Sequence, residues 1–298
     1  MMIRSFFLPV NAFNGVLITS LSFVCFKRLD HALKGCTPPE PISNKGPDAV
    51  WKWRNMVVSC IHALLIGSWD ILCFYYYPSL MQDLVDHVVP FTYYMVCIST
   101  GYFLFDLRDL VEQRKIMKLW EVTLHHFAVL SAFIYNIITV KYIAYTVVAL
   151  LAEVNSFFLH TRKLMQMHKV PFTNSAYRLN AVINLATFAC CRGYCLFRIS
   201  YGMYIEPHKF SPFYLLLLSV SMLIMNVLNS ILFLILLRND FLLDRNEKAF
   251  HSTRKNLESE LSAPTLLSPT EFADPVHLSL LPASRNRNQI VITELGLT

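Results

Sequence analysis

The amino-acid sequence predicts an all-α protein, a polytopic bundle of transmembrane helices, and three observations support this fold class. Hydrophobic residues make up 55% of the 298 positions, whereas charged residues make up only 15%. The apolar residues are gathered into long runs, which is typical of membrane proteins. The Lys and Arg residues behind the net charge of +6 are concentrated in alternate loops between those runs. They indicate topology, so we expect no nucleic-acid partner.

Seven apolar runs are long enough to cross a hydrocarbon core, which requires roughly 17–25 helical residues. Helices are expected because lipid offers no partner to a free backbone group, and the runs lack the alternation of barrel strands. The third run is the weakest because it ends in Asp106 and Asp109. The predicted spans are 8–26, 55–77, 89–107, 122–139, 143–160, 181–204 and 212–237.

The loops between these spans differ in basic residues. Loop 27–54 contains six Lys and Arg residues, and loops 108–121 and 161–180 contain four each. Loop 78–88 contains none, and the other two loops contain one each. Because cytosolic loops collect Lys and Arg, we expect the N-terminus to face outward and the C-terminus to lie in the cytosol.

The chain divides into an N-terminal transmembrane or signal-anchor helix (1–33), a Pro-rich cytosolic connector (34–49), a six-helix domain (50–243) and a polar tail (244–298). A cleaved signal peptide is the alternative for the first helix. Retention is favoured, because residues 25–28 (CFKR) make a poor small-residue cleavage site. The tail is rich in Ser, Pro and Asn and lacks periodicity, which predicts disorder.

The cysteine and glycine patterns argue against several kinds of site. Seven of the eight cysteines lie inside the predicted spans, so no disulfide framework is expected. No Cys/His spacing suits zinc, and no glycine-rich loop suits a phosphate group. The sequence therefore predicts no metal site and no cofactor.

Ionisable side chains inside a span are costly in lipid, so each is a candidate for function. Glu153 and Arg192 carry opposite charges near mid-bilayer on successive spans, and we expect them to pair, either structurally or within a site. His125 and His126 are adjacent, so their side chains diverge by about 100° and at least one should face the bundle. His62 shares a helix face with other polar residues, which favours an interior histidine.

Several short motifs occur in order within the six-helix domain. They are Gly101-Tyr-Phe-Leu-Phe-Asp106-Leu-Arg-Asp109, Trp120-Glu-Val-Thr-Leu-His125-His126 and Leu151-Ala-Glu153-Val-Asn155-Ser-Phe-Phe-Leu159. These motifs resemble the TLC domain family, which includes TRAM, ceramide synthase and CLN proteins, over roughly residues 50–240. Flanking motifs are most similar to the subgroup of TLC domain-containing proteins 1 and 2: Trp51-x-Trp53-x-Asn55, Val58-Ser59-x-x-His62 and Leu237-Arg-x-Asp240-Phe241.

The resemblance implies roles for the histidines. In ceramide synthases the paired histidines, matched here by His125 and His126, serve acyl transfer together with acidic residues on the next helix. Imidazole suits that work because it accepts and releases protons near neutral pH. Residues 152–153 are Ala-Glu where those enzymes have His-Asp, and residues 155–156 are Asn-Ser where they have Ser-Asp. One acid is kept as Glu153 and the other is absent, which argues against sphingoid-base N-acylation.

The resemblance also implies a helical bundle that acts on, or senses, membrane lipid. The subgroup implies a regulator of phospholipid composition and fluidity at the plasma membrane, which restrains the incorporation of polyunsaturated acyl chains. One alternative is a lipid acyltransferase, and another is a non-catalytic lipid-binding or scaffolding bundle. Because one of the two acidic residues is absent, an enzymatic function is the less favoured interpretation. The endoplasmic reticulum is the alternative membrane.

The candidate site residues combine the buried polar groups with those that the resemblance implies. The expected partners are membrane phospholipids or acyl lipids, and the oligomeric state stays open. Catalytic candidates are His125, His126 and Glu153, and lipid-binding candidates are His62, Asp106, Asp109, Asn155 and Arg192.

Overall fold

The computed structural model describes residues 8–261, with side chains through residue 238. This described part consists of helices joined by short connections and contains no β-strand, which confirms the predicted all-α fold class. Its ten α-helices are α1 (Ala12–Lys34), α2 (Glu40–Ser43), α3 (Pro47–Tyr76), α4 (Pro90–Glu112), α5 (Trp120–Thr139), α6 (Ile143–Leu150), α7 (Ala152–Met167), α8 (Ser175–Thr187), α9 (Tyr194–Ile205) and α10 (Pro212–Leu261).

Six segments of the described chain are long and apolar enough to cross a bilayer. Helices α1, α3 and α5 and the first part of α10 each form one segment. The other two segments join α6 to α7 and α8 to α9, each through a local irregularity. The six segments coincide with six of the seven runs in the sequence. The direction in which each crosses the bilayer stays a prediction.

The remaining predicted span, 89–107, is the third along the chain and forms α4. It is less hydrophobic than the six segments. Its Tyr, Ser and Thr residues, together with Asp106 and Asp109, leave it outside the set of segments apolar enough to span alone. Helix α4 lies against α1, α3, α5 and α6, and most of its side chains are buried. Because it is packed against helices, α4 can carry carboxylates in the interior of the bundle.

Small residues bring α4 and α1 into close contact. A Cβ atom added at Gly101 would lie 2.5 Å from the carbonyl oxygen of Thr19 and 2.6 Å from the Cβ of Ser22. The hydroxyl of Ser22 donates a hydrogen bond to the carbonyl oxygen of Ile98, at 2.7 Å. Close approach through small residues is a common way for transmembrane helices to pack. Gly101 therefore fixes the separation of these two helices.

Two helices extend beyond the bounds that the sequence suggests. Helix α3 begins at Pro47, inside the predicted connector, and proline is favoured in the first turn of a helix. Helix α10 continues through residues 244–261, which the sequence assigns to the polar tail. The rest of the predicted tail, residues 262–298, lies outside the described residues.

Candidate functional site

A network of polar side chains joins α3, α4 and α5 in the interior of the bundle. Asp106 lies with one carboxylate oxygen 2.7 Å from Nε2 of His126 and accepts a hydrogen bond from Asn55 at 2.6 Å on the other. Asp109 accepts hydrogen bonds from the indole of Trp51 at 2.7 Å and from Asn55 at 3.3 Å. Both carboxylates are buried, so their partners are protein groups and they tie three helices together.

The same buried face of α3 carries Ser59 and His62 one and two turns further on. Tyr102 of α4 donates its hydroxyl to Ser59 at 2.9 Å, and its ring stacks on His62 with 3.7 Å between the ring centroids. Nε2 of His62 lies 3.1 Å from the hydroxyl of Ser99. His62 is fully buried. The structure thus places it in the interior, as its position on a polar helix face predicts.

Glu153, on α7, faces His62. One of its carboxylate oxygens lies 3.6 Å from Nδ1 of His62, and the Glu153 side chain is 12% exposed. The prediction that Glu153 pairs with Arg192 is wrong, because no salt bridge within 4.0 Å joins the two side chains in the described part of the chain. The reason is the rotation of α7, which turns Glu153 towards α3 and turns the next polar residues, Asn155 and Ser156, towards Arg192.

Arg192 is held by three neutral oxygen atoms. Its Nε donates to the side-chain oxygen of Asn155 at 2.7 Å, Nη1 donates to that of Asn229 at 2.8 Å, and Nη2 donates to the hydroxyl of Ser156 at 2.7 Å. These acceptors come from α7 and α10. The Arg192 residue is only 9% exposed, so the structure buries a guanidinium with neutral partners.

A π-helical turn positions Arg192. Residues Phe188–Gly193 join α8 to α9 with the wider i to i+5 geometry, and Arg192 is the penultimate residue of this turn. The guanidinium lies 5.7 Å from the centroid of the Phe188 ring. Asn155 also donates to Asn184 of α8, at 3.0 Å, which orients the amide that receives Arg192. Short π-helical turns inside α-helices occur frequently at functional sites.

An apolar cleft lies between α5, α6, α9 and α10 and contains about 630 Å³ of empty space, part of which is open to the outside. Ala128 and Ala132 project only methyl groups into it, so the facing helices leave room between them. Arg192 and Asn229 lie at one end of the cleft and Tyr214 lies at the other.

His125 lies one helical turn from the Arg192 end of this cleft. It precedes Ala128 and Val129, two lining residues, by three and four positions, and residues at that spacing share a helix face. Within the described chain its half-buried ring has no hydrogen bond and contacts the rings of Phe103 and His126. Since His126 is buried, the prediction that at least one of the two rings faces the bundle is confirmed.

The structure therefore divides the sequence candidates other than His125 into three groups. Asp106, Asp109 and His126 share the network, His62 and Glu153 face each other, and Asn155 and Arg192 meet beside the cleft. Further polar residues that were not among those candidates are Ser156 and Asn229, which bind Arg192, and His160, which lies against Met56 of α3. His160 lies seven positions after Glu153, a spacing that returns to the same helix face, and Asn229 is a polar residue in a strongly apolar helix.

The TLC domain family model matches residues 52–238. The chain is 34% identical over 248 residues to TLC domain-containing protein 2 of Danio rerio, covering 83% of this chain and 98% of that protein. It is 32% identical over 171 residues to TLC domain-containing protein 1 of Gallus gallus, covering 57% and 67%. Human TLC domain-containing protein 2 is 29% identical over 232 residues, covering 78% and 86%. No solved structure matches the chain.

Proposed function

Because this chain belongs to the TLC domain family, we propose that it regulates the acyl composition and fluidity of membrane phospholipids. In this proposal it limits the incorporation of polyunsaturated acyl chains. It acts at the plasma membrane, with its N-terminus outside and its C-terminus in the cytosol. Its partners are phospholipids or acyl lipids of the surrounding bilayer. Membership of the family fits a role connected with membrane lipids. The cleft supports the narrower role of limiting the incorporation of polyunsaturated acyl chains.

The cleft between α5 and α10 is the observation that carries this proposal. Its walls are almost entirely apolar and lie between membrane-spanning helices, so the expected occupant is an acyl chain. An acyl chain gains little hydrophobic free energy on leaving lipid for an equally apolar cleft. Selection must therefore come from shape, and packed walls distinguish a straight chain from one bent by several cis double bonds.

Filling the cleft tests this proposal. Ala132→Phe places a ring among the lining residues, whereas Ala186→Phe makes the same change at an exposed position of α8. Each variant is expressed in knockout cells at the parental abundance and localisation, and labelled polyunsaturated fatty acid is supplied. We expect wild type and Ala186→Phe to lower the labelled polyunsaturated phosphatidylethanolamine to the parental level, and Ala132→Phe to leave it raised. Full restoration by Ala132→Phe would refute the role of the cleft.

A lipid acyltransferase is the second candidate, and the contact between His126 and Asp106 favours it. A carboxylate 2.7 Å from an imidazole nitrogen is the arrangement that orients a general base. The neighbouring His125 is half-buried beside the cleft, where an acyl donor could reach it. Acyl transfer by purified protein in defined lipid, lost on His125→Ala with His126→Ala, would establish this activity.

The histidine variants also separate binding from scaffolding. If the double variant restores the lipid profile at normal abundance, the histidines have a structural role and the protein acts without acyl transfer. If every variant that loses the lipid effect also loses its fold, the polar network only locks the helices together. A folded variant that binds acyl lipid but fails to restore the profile would support a site in these residues.

A further inference from the structure

The guanidinium of Arg192 donates hydrogen bonds to neutral oxygen atoms and makes no direct ion pair among the described residues. An arginine side chain stays protonated in proteins, so Arg192 keeps its full positive charge inside the bundle. The described residues offer it no carboxylate within 4.0 Å, because Glu153 faces His62 instead. A buried charge without a counter-ion in direct contact is unfavourable in a low-dielectric interior. An anionic ligand at Arg192 would supply the direct counter-ion that the described residues do not.

Arg192 also has unused donors. A guanidinium carries five N–H groups, and the bonds to Asn155, Asn229 and Ser156 use one N–H on each of its three nitrogen atoms. One N–H therefore remains on Nη1 and one on Nη2. Arginine binds carboxylates through such pairs of N–H groups. The single positive charge also matches one carboxylate better than a phosphate monoester, which carries about −1.5 to −2.

The cleft beyond Arg192 has the length and lining of a single acyl chain. The lining residues of α10 extend from Asn229 to Tyr214, which is about 22 Å at 1.5 Å per residue. That length is comparable with the length of an extended acyl chain in one leaflet, which is half of a hydrocarbon core, about 15 Å. Of the lining residues, Arg192 alone carries a charge. A ligand that fills this space has one anionic end and one long apolar chain.

The charged end of the cleft lies towards the cytosol on the predicted topology. His125 and His160 are half-buried, and on that topology both lie between Arg192 and the cytosolic surface. The head of a ligand at Arg192 would therefore lie towards the cytosolic leaflet.

We propose that this site binds an unesterified long-chain fatty acid, with its carboxylate on Arg192 and its chain along the cleft towards Tyr214. The proposal rests on the function given above, since a regulator of acyl composition that holds free fatty acid withdraws it from phospholipid synthesis. It adds the chemical class of the ligand and the residue that recognises its head.

Competition labelling of the full-length protein tests this assignment. The protein is purified into phosphatidylcholine nanodiscs and labelled with a photoactivatable analogue of palmitic acid. Palmitic acid, hexadecanol, methyl palmitate and palmitoyl lysophosphatidic acid are compared as competitors. We expect palmitic acid to compete about tenfold or more strongly than the two uncharged ligands, because they lack the charge-assisted bonds. The labelled peptides should come from α5 or α10.

Two variants complete the test. Arg192→Gln should lower labelling about tenfold or more, whereas Arg198→Gln, a charge removed from the same helix outside the cleft lining, should leave it unchanged. If Arg192→Gln does not fold, the competitor series on the wild-type protein decides alone. Equal competition by hexadecanol would overturn the proposal, and so would stronger competition by lysophosphatidic acid. If Ala132→Phe restores the lipid profile and the wild-type protein binds palmitic acid as expected, the proposed function is refuted but the fatty-acid site is supported.

Discussion

Asp106 holds two side chains at once, and its replacement by leucine should destabilise the protein measurably. Its two oxygens lie 2.7 Å from Nε2 of His126 and 2.6 Å from the amide nitrogen of Asn55. Leucine has the same branched heavy-atom skeleton as aspartate but is apolar and bulkier, so it removes both acceptors and fills the space that they occupied. Two buried donors on two neighbouring helices are then left without their acceptor.

The expected loss follows from the partners that each donor keeps. His126 has no other hydrogen bond in the described part of the chain, so leaving its Nε2 unpaired costs about 1–3 kcal/mol. Asn55 keeps a 3.3 Å contact with Asp109, so its loss is near the lower end of that range, about 1 kcal/mol. The free energy of unfolding should therefore fall by about 2–4 kcal/mol, a large part of the stability of a typical protein.

Unfolding by sodium dodecyl sulfate, followed by circular dichroism in lipid–detergent bicelles, measures this loss. The control is Glu112→Leu on the same helix, where an exposed carboxylate pairs with Arg108 and the expected change is within about 0.5 kcal/mol. Asp106→Asn keeps one acceptor oxygen and should fall between the two. If Asp106→Leu is as stable as the control, the network does not hold these helices together and the reasoning is wrong.

Helix contacts and loop charges give three more expectations. Gly101→Ala should lower the free energy of unfolding by about 1–3 kcal/mol in the same assay, because its Cβ meets the backbone of α1. Gly193→Ala, whose Cβ would lie 3.9 Å from the carbonyl oxygen of Phe188, should change it less, and equal losses would contradict the close packing. Asn155→Leu removes an acceptor from the buried guanidinium and should cost about 1–3 kcal/mol, whereas Asn155→Asp supplies a counter-charge and should retain stability; equal losses would exclude this role. An epitope tag within 81–87 should be reached on intact cells and one at 168 only after permeabilisation, and the reverse pattern would refute the predicted orientation.

The fold class was predictable because lipid forces apolar runs into helices, but the partner of Arg192 was not. Glu153 and Asn155 are two positions apart, so their side chains diverge by about 200° around α7. Which of them faces the π-helical turn that carries Arg192 depends on the rotation of α7, which is set by its contact with α3. A Cβ at Gly67 would lie 3.0 Å from the backbone nitrogen of Val154, so the two helices meet backbone to backbone there. The spacing of residues in the sequence does not predict that contact.

The cleft and the π-helical turn were hidden for related reasons. The turn at Phe188–Gly193 changes the phase of the helix, so a 3.6-residue period counted through 181–204 assigns later residues to the wrong face. The cleft requires Ala128 and Ala132 of α5 to face small or flexible side chains on other helices. An alanine in an apolar run predicts a membrane helix equally well whether it faces lipid, a neighbouring helix or an empty space.

The low hydropathy of α4 bears on how the protein is made. A segment that enters lipid by itself must be apolar enough to leave the translocation channel, and α4 is not in that class. Its carboxylates at Asp106 and Asp109 find their donors on α3 and α5, in Trp51, Asn55 and His126. A nascent chain that stops before His126 therefore leaves α4 beside the channel or its chaperones. Helices that are synthesised one after another must enter the bilayer as a group.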